Sequence, residues 1–197
     1  YLLHEFRKLK SGDTVLIHAA AGGVGLLLVQ WARHLGARVI GTTSTEEKAA
    51  VAAEAGADHV IVYTKQDFVS ETKRLTNGRG ADLILDGVGK STFTGDLQAA
   101  AVHGHIVIYG AASGPADPIV PNSLMERSIT VSGGMLSNFA ATREDLLRRS
   151  SDVLAAVKEV WLKLRIDRVL PLAEAGEAQQ LLESRKSVGK IVLKVVD

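Results

Sequence analysis

At 197 residues, with 46% hydrophobic content, 19 glycines and 4 prolines, the chain has the composition of one α/β domain, or one domain and a piece of another. Lys and Arg number 23 against 22 Asp and Glu, which leaves no global field to favour nucleic acid or an anionic membrane, and no apolar run reaches the ~20 residues that span a bilayer. The absence of cysteine excludes disulfides and Cys-ligated zinc within this segment, and with no signal peptide at its start the chain reads as cytoplasmic.

The first residue is Tyr1 rather than Met, and residues 1–10 read as the last turns of a helix whose beginning is missing. The chain is therefore expected to be cut from a longer polypeptide. Residues 14–18 form an apolar, β-branched run typical of a buried parallel strand. Helical spacing over 23–35 follows, closed by Gly36. From there strands are predicted at 38–42, 59–62, 83–86, 106–109 and 129–132, and helices at 46–55, 68–75, 92–102 and, after a long connection, 143–164. Strict β-α alternation implies a parallel sheet covered on both faces. Six strands in this rhythm fit the doubly wound (Rossmann) order 3-2-1-4-5-6. The tail departs from it: a strand at 168–172, a helix at 175–183 and a strand at 191–196 have no place in a sheet already complete. The predicted division is a nucleotide-binding domain over 1–164 and a tail, 165–197, belonging to a neighbouring domain.

Between the first strand and the first helix lies His18-Ala-Ala-Ala-Gly-Gly-Val-Gly25. Strand, glycine turn, helix is the setting of a dinucleotide fingerprint, in which backbone N–H groups and the positive end of the helix hold a pyrophosphate. Gly22 and Gly25 take the second and third glycine positions; Ala20 replaces the first. At the end of the second strand, where an acidic residue would accept the ribose hydroxyls of NAD, the chain reads Gly41-Thr-Thr-Ser-Thr45. Ser44 and Thr45 offer hydroxyls at a helix N-terminus, with Lys48 one turn on, a set suited to a 2′-phosphate and so to NADP; the alternative reading is that Ser44 or Thr45 simply caps the helix, and the two roles are compatible. Asp86-Gly-Val-Gly89 and Tyr109-Gly-Ala-Ala-Ser113 end the fourth and fifth strands, where open α/β sheets bind ligands. Tyr63 ends the third. The histidines at 18, 59, 103 and 105 show no metal-ligand spacing, Ser113 lacks a nucleophile elbow, and no tyrosine has a lysine four residues on.

Taken in order, His18–Gly25, Ile40-Gly-Thr-Thr-Ser-Thr-Glu-Glu-Lys48, Glu54-Ala-Gly-Ala-Asp-His-Val-Ile-Val-Tyr63, Leu85-Asp-Gly-Val-Gly89 and Leu181-Leu-Glu-Ser-Arg-Lys-Ser-Val-Gly-Lys-Ile-Val-Leu193 resemble the quinone oxidoreductase (zeta-crystallin-like) branch of the medium-chain dehydrogenase/reductase superfamily. That branch carries alanine at the first fingerprint position. The resemblance implies an N-terminal GroES-like catalytic domain outside this chain, to which the tail returns. It places Gly22, Gly23, Val24 and Gly25 at the pyrophosphate. Ser44, Lys48, Tyr63 and Arg185 would surround the 2′-phosphate, and Gly87, Val88, Tyr109, Gly110 and Ser113 the nicotinamide. The implied reaction is zinc-independent hydride transfer from NADPH to a quinone or enone, with no catalytic residue and no metal ligand in this chain. An enoyl thioester reductase, or a non-catalytic NADPH-binding module, are the alternatives. The implied assembly is a homodimer joined through the strand Ile129-Thr-Val-Ser132, with no nucleic-acid or membrane partner.

Overall fold

Strand β1 (Thr14–Ile17) puts Val15 and Ile17 on one face and Leu16 on the other, and none of the three is exposed to solvent. A strand apolar on both sides must be covered on both sides. In the computed structural model, which describes residues 1–195, it lies at the centre of a six-stranded, all-parallel sheet of order β3-β2-β1-β4-β5-β6. The other strands are β2 (Arg38–Thr43), β3 (His59–Val62), β4 (Ala81–Asp86), β5 (Ala100–Ile108) and β6 (Thr130–Gly133). Two apolar clusters flank it. One gathers Val15, Ile17, Val29, Leu83 and Leu85 with the N-terminal Leu2 and Leu3; the other gathers Leu16, Ile40, Ile61, Ile84 and Ile106. The crossover helices are α1 (Gly25–His34), α2 (Glu46–Glu54), α3 (Phe68–Leu75) and α4 (Phe93–Ala99). The order reverses between β1 and β4, and the doubly wound fold read from the alternation is the one observed.

Strands β4 and β5, and the first strand of the tail, begin earlier than expected, and three expected helical elements differ in kind or extent. Residues 1–10 form turns rather than a helix end, with one N–H bond spanning four residues, from Glu5 to the Tyr1 carbonyl. Leu2, Leu3 and Phe6 all turn to the core, and Tyr1 stacks on Phe139 with ring centroids 4.9 Å apart, a set of contacts that no single helix face could make. The helix predicted over 92–102 ends at Ala99, and β5 begins at once: Ala100 is extended and pairs with Ala81. Gly80 explains the early switch, because a Cβ there would stand 2.5 Å from the Ala99 carbonyl, so only glycine lets the chain cross so closely. The helix predicted over 143–164 is α6 (Arg143–Lys158), preceded by the single turn α5 (Leu136–Phe139). Val160 takes a left-handed φ of 66°, unusual for a β-branched residue. That turn buries Leu162 and stacks Trp161 on His34, ring centroids 3.8 Å apart.

The tail makes a separate parallel pair, β7 (Ile166–Pro171) and β8 (Lys190–Lys194), joined through α7 (Ala175–Glu183). Residue 196 of the expected last strand lies outside the described residues. Most of this pair is exposed, and it meets the fingerprint turn where Gly189 bridges Gly22, with the Gly189 N–H on the Ala21 carbonyl at 3.0 Å. β6 is shifted one residue from expectation and forms one edge of the main sheet. Among the described residues no helix is long and apolar enough to cross a membrane.

Candidate functional site

A cleft of about 700 Å³ opens at the carboxyl ends of β1, β2 and β4, where the strand order reverses. Its floor is the turn after β1. The N–H of Ala20 donates to the Thr42 carbonyl at 3.0 Å and that of Gly22 to the Ala19 carbonyl at 2.9 Å, which folds the turn back on itself. A Cβ on Gly25 would lie 2.3 Å from the Ala19 carbonyl oxygen and 2.8 Å from the Ala20 Cα, so α1 meets β1 this closely only with glycine there. Ala20 is fully buried, and its methyl occupies space left by Gly41 on β2, where a Cβ would come within 2.7 Å of it. The departure from the glycine fingerprint is thus accommodated by a glycine on the neighbouring strand.

The start of α1 is built to receive an anion. Val24 stands at its N-cap without a capping side-chain bond, no acidic residue lies in the first turn, and among the described residues no protein acceptor meets the N–H groups of Val24 or Gly25, while Gly23 lies against the Gly189 carbonyl of the tail. Orphan donors and the positive helix end favour negative charge there. Gly22 and Gly23 line the cleft; Val24 is half-exposed and faces a second cavity beside Tyr1, Leu27 and Trp31, and Gly25 is buried behind the turn.

At the end of β2 the cleft collects Ser44, Lys48, Tyr63 and Arg185, four residues brought from β2, α2, β3 and the segment after α7. Lys48 Nζ donates to the Arg185 carbonyl, and the Arg185 guanidinium reaches the Ala112 carbonyl at 3.2 Å, tying the tail to the loop after β5. Thr45 is not part of the lining. Its Oγ1 accepts from the Lys48 N–H at 3.3 Å and caps α2. Glu46 pairs with Lys65 at 2.9 Å, so no carboxylate stands at the end of β2 facing the cleft. The acidic residue in the lining is Asp67, which caps α3 by accepting from the Ser70 N–H and Oγ; those bonds hold its carboxyl below its usual range.

On the opposite side Val88 lines the cleft, and Gly87, Tyr109, Gly110 and Ser113 belong to the loops after β4 and β5 without being part of that lining. A Cβ on Gly87 would lie 2.9 Å from the Tyr109 ring and one on Gly110 2.7 Å from the Gly87 carbonyl, so these glycines serve the close approach of the loops after β4 and β5. Burial pushes the Tyr109 hydroxyl above its usual range and keeps it neutral. Ser113 Oγ donates to the Val88 carbonyl at 2.8 Å and accepts from the Ser91 N–H at 3.0 Å, which engages that hydroxyl in holding the turn.

His18 was not singled out by spacing, yet the structure places it at the cleft floor with almost no exposure. Nε2 lies 2.7 Å from Asp96 Oδ1 on α4 and Nδ1 2.9 Å from Thr42 Oγ1. Asp96 Oδ2 is buried without a hydrogen-bond partner. Burial pushes the Asp96 carboxyl up to about 6, against the pull of His18, with Asp86 adding to the rise. For His18, burial favours the neutral ring, but Asp96, backed by Asp86, prevails and holds its pKa above the usual histidine value. Asp86 accepts the N–H groups of Val88 (2.7 Å) and Gly89 (3.0 Å) and the Thr92 hydroxyl (2.9 Å). Among the described residues no group of three His, Asp or Glu side chains is placed to hold a metal ion.

Comparison with known proteins agrees with this geometry. Residues 23–156 match the family described as zinc-binding dehydrogenase. The 2-haloacrylate reductase of a Burkholderia species is 42% identical over 98% of the chain, and the quinone oxidoreductase of Pseudomonas aeruginosa 36% over 98%. The chain spans 59% and 60% of those two proteins. A mycobacterial protein solved with NADPH superimposes with a TM-score of 0.94 at 42% identity, covering 99% of this chain and 60% of the other. The NADPH complex of Escherichia coli quinone oxidoreductase does so with a TM-score of 0.93 at 34% identity, covering 99% and 61%. The sequence motifs, the parallel sheet and the glycine turn at its switch point agree with these likenesses: the chain belongs to the zinc-binding dehydrogenase family of medium-chain dehydrogenases/reductases, in its quinone oxidoreductase branch.

Proposed function

We propose that this chain is the NADPH-holding domain of an oxidoreductase that reduces quinones or other electron-poor, conjugated acceptors. One observation carries the reading: the uncapped N-terminus of α1, with acceptor-less N–H groups at Val24 and Gly25, lies beside a cation and hydroxyl set with no ribose-directed carboxylate. The turn brings Gly22 and Gly23 to the cleft wall at this positive helix end, so the site fits a diphosphate. Ser44, Lys48, Tyr63 and Arg185 fit the additional 2′-phosphate of NADPH rather than NADH. A bound NADPH supplies a hydride to the acceptor, and the chain's own residues bind and orient it. Val88, backed by the Gly87–Gly110 contact, presents an apolar wall that keeps water from that side. Thr45 contributes by capping α2, and so by fixing Lys48, rather than by contact.

Two structural features bear on the rest of the protein. The exposed β7–β8 pair is proposed to complete a sheet of the catalytic domain, and the β6 edge to pair with a second copy. The likeness to a 2-haloacrylate reductase favours a second reading of the acceptor, in which hydride reaches the β-carbon of an unsaturated carboxylate. Calorimetric titration with NADPH and NADH, before and after Lys48→Ala, tests the cofactor. Tight NADPH binding that weakens roughly tenfold or more in the variant, with NADH unaffected, supports the reading; equal binding of both cofactors refutes it. Steady-state assays of the full-length protein with quinones and with 2-haloacrylates then separate the acceptors.

A further inference from the structure

Four side chains below the cleft form a continuous buried chain. Thr42 is the last residue but one of β2, His18 follows β1, Asp96 belongs to α4 and Asp86 ends β4. His18 bonds Thr42 and Asp96 directly, Asp86 lies close enough to bias the Asp96 carboxyl, and Asp86 in turn holds the Gly87–Gly89 turn. Thr42, His18, Asp86 and Asp96 are all essentially inaccessible, and the Phe68 ring closes edge-on over His18, centroids 4.9 Å apart. The chain thereby links three cleft walls that come from separate strands: the Thr42–Ser44 end, the turn after His18, and the turn after Asp86.

We propose that His18 is a positioning residue whose Nδ1 proton is coupled to nucleotide binding, so that cofactor affinity falls as pH rises through the histidine's titration. The inference rests on the nucleotide reading of the cleft. With His18 neutral, Nε2–H donates to Asp96 and Nδ1 accepts the Thr42 hydroxyl proton. With His18 cationic, Nδ1–H donates to Thr42 Oγ1, whose own proton is released towards the cleft that Thr42 lines. The second state puts a positive charge under the turn that receives the diphosphate and frees a hydroxyl donor. An anionic nucleotide therefore binds the protonated form more tightly. By linkage it draws a proton onto His18, and affinity is highest below the pKa of the unliganded protein. The other charges facing this ring are Asp96 from α4 and Asp86 from β4. Across the cleft stand Lys48 from α2, Asp67 at the start of α3 and Arg185 after α7, with the Tyr63 hydroxyl at the end of β3. Asp96 and Asp86 are the two that act on it at short range.

The test is calorimetric titration of the full-length protein with NADPH between about pH 5.5 and about pH 9, in buffers of differing ionisation enthalpy, for the parent, Asp96→Asn and His18→Gln. In the parent, binding should take up a proton, and affinity should fall roughly tenfold across the histidine's range. Asp96→Asn keeps the shape but removes the anion, and should move that fall to lower pH by about one unit or more. His18→Gln should leave only the ionisation of the ligand's own 2′-phosphate, which is common to all three proteins. Profiles that superimpose, or variants weakened by the same factor at every pH, overturn the proposal. Proton uptake above about pH 7.5, where the 2′-phosphate is already ionised, needs no variant to fold, and its absence there refutes the coupling. Failure to bind NADPH at any pH overturns the nucleotide reading and this inference together, whereas binding without linked protons overturns only the inference.

Discussion

The methyl of Ala20 and the missing side chain of Gly41 make a prediction about the altered fingerprint. Gly41→Ala would place a Cβ 2.7 Å from the Ala20 Cβ, and neither atom can rotate away because both are fixed to backbone. Two methyl groups at that separation are more than an ångström inside ordinary contact, and overpacking of this kind costs about 1–3 kcal/mol. Ala20→Gly alone removes a fully buried methyl, about 0.8 kcal/mol, and adds the entropy of a glycine, about 0.5–1 kcal/mol. If the two changes were independent, the double variant would lose roughly 2–5 kcal/mol. The geometry says they are not independent. With Ala20 reduced to glycine, the new methyl on residue 41 would keep only ordinary contacts, 3.9 Å to Ala57 and 3.9 Å to Val60. The swap moves one methyl from one strand to its neighbour, so the double variant should lie within about 1 kcal/mol of the parent, a coupling of about 2–3 kcal/mol. For a domain of this size, calorimetry would show about 2–4 °C per kcal/mol, so each single change should lower the melting temperature visibly and the pair should restore it. Additive losses, or a Gly41→Ala variant as stable as the parent, would refute the idea that Gly41 makes room for Ala20.

Further expectations follow from other contacts. Gly25→Ala meets backbone at 2.3 Å and must displace the start of α1, so NADPH affinity should drop at least tenfold by fluorescence titration, a change that retention of binding would contradict. Burial acts to raise the pKa of Asp82, but the Arg79 pair at 2.6 and 2.8 Å and the Thr14 N–H at 2.8 Å outweigh it and hold the carboxyl below its usual range. A folded pKa below the unfolded one means this contribution is full above the unfolded value of about 3.9 and is lost as pH falls through the folded value. Urea melts should therefore show Asp82→Asn less stable than the parent at neutral pH, with the difference shrinking towards acid. The proposed pairing of β6 edges requires that the full-length protein sediment as a dimer; a monomer at micromolar concentration would remove it.

Strand β3 and helix α3 fall at their sequence-read boundaries because each is bounded locally. His59–Val62 is a short β-branched run ahead of a turn, and Asp67 caps the helix that follows by accepting the Ser70 N–H. The errors lie where tertiary contact overrides propensity. Alanines 99–101 read as helix, yet the backbone crossing over Gly80 turns two of them into strand. Residues 159–164 carry helical spacing, yet the burial of Leu162 and the hold of Gln30 on the backbone of Lys163, at 2.7 and 3.1 Å, redirect the chain.

The site divides along the same line. The glycine turn could be read because strand, turn and helix adjoin in sequence, and the crowding at Gly22 and Gly25 comes from Ala19 and Ala20 close by, although Gly23 is crowded by Gly189 and Lys190 of the tail. At Gly87 and Gly110 the sequence leaves two meanings open, since glycine at a strand end is the same whether it admits a ligand or another loop; the structure shows the close approach of the loops. His18 could not be read at all, because its partner Asp96 lies 78 residues away and no spacing rule joins them. The difference is physical. A glycine declares a backbone approach near itself, whereas a buried polar side chain has meaning only through partners that the fold delivers. In a doubly wound sheet those partners converge at the carboxyl ends of the strands, where Thr42, His18 and Asp86 each lie near the end of a different strand. A polar residue at the end of an otherwise apolar strand in this fold is therefore the sequence signal for such a chain, and α4, the helix after β4, is where its missing member was to be found.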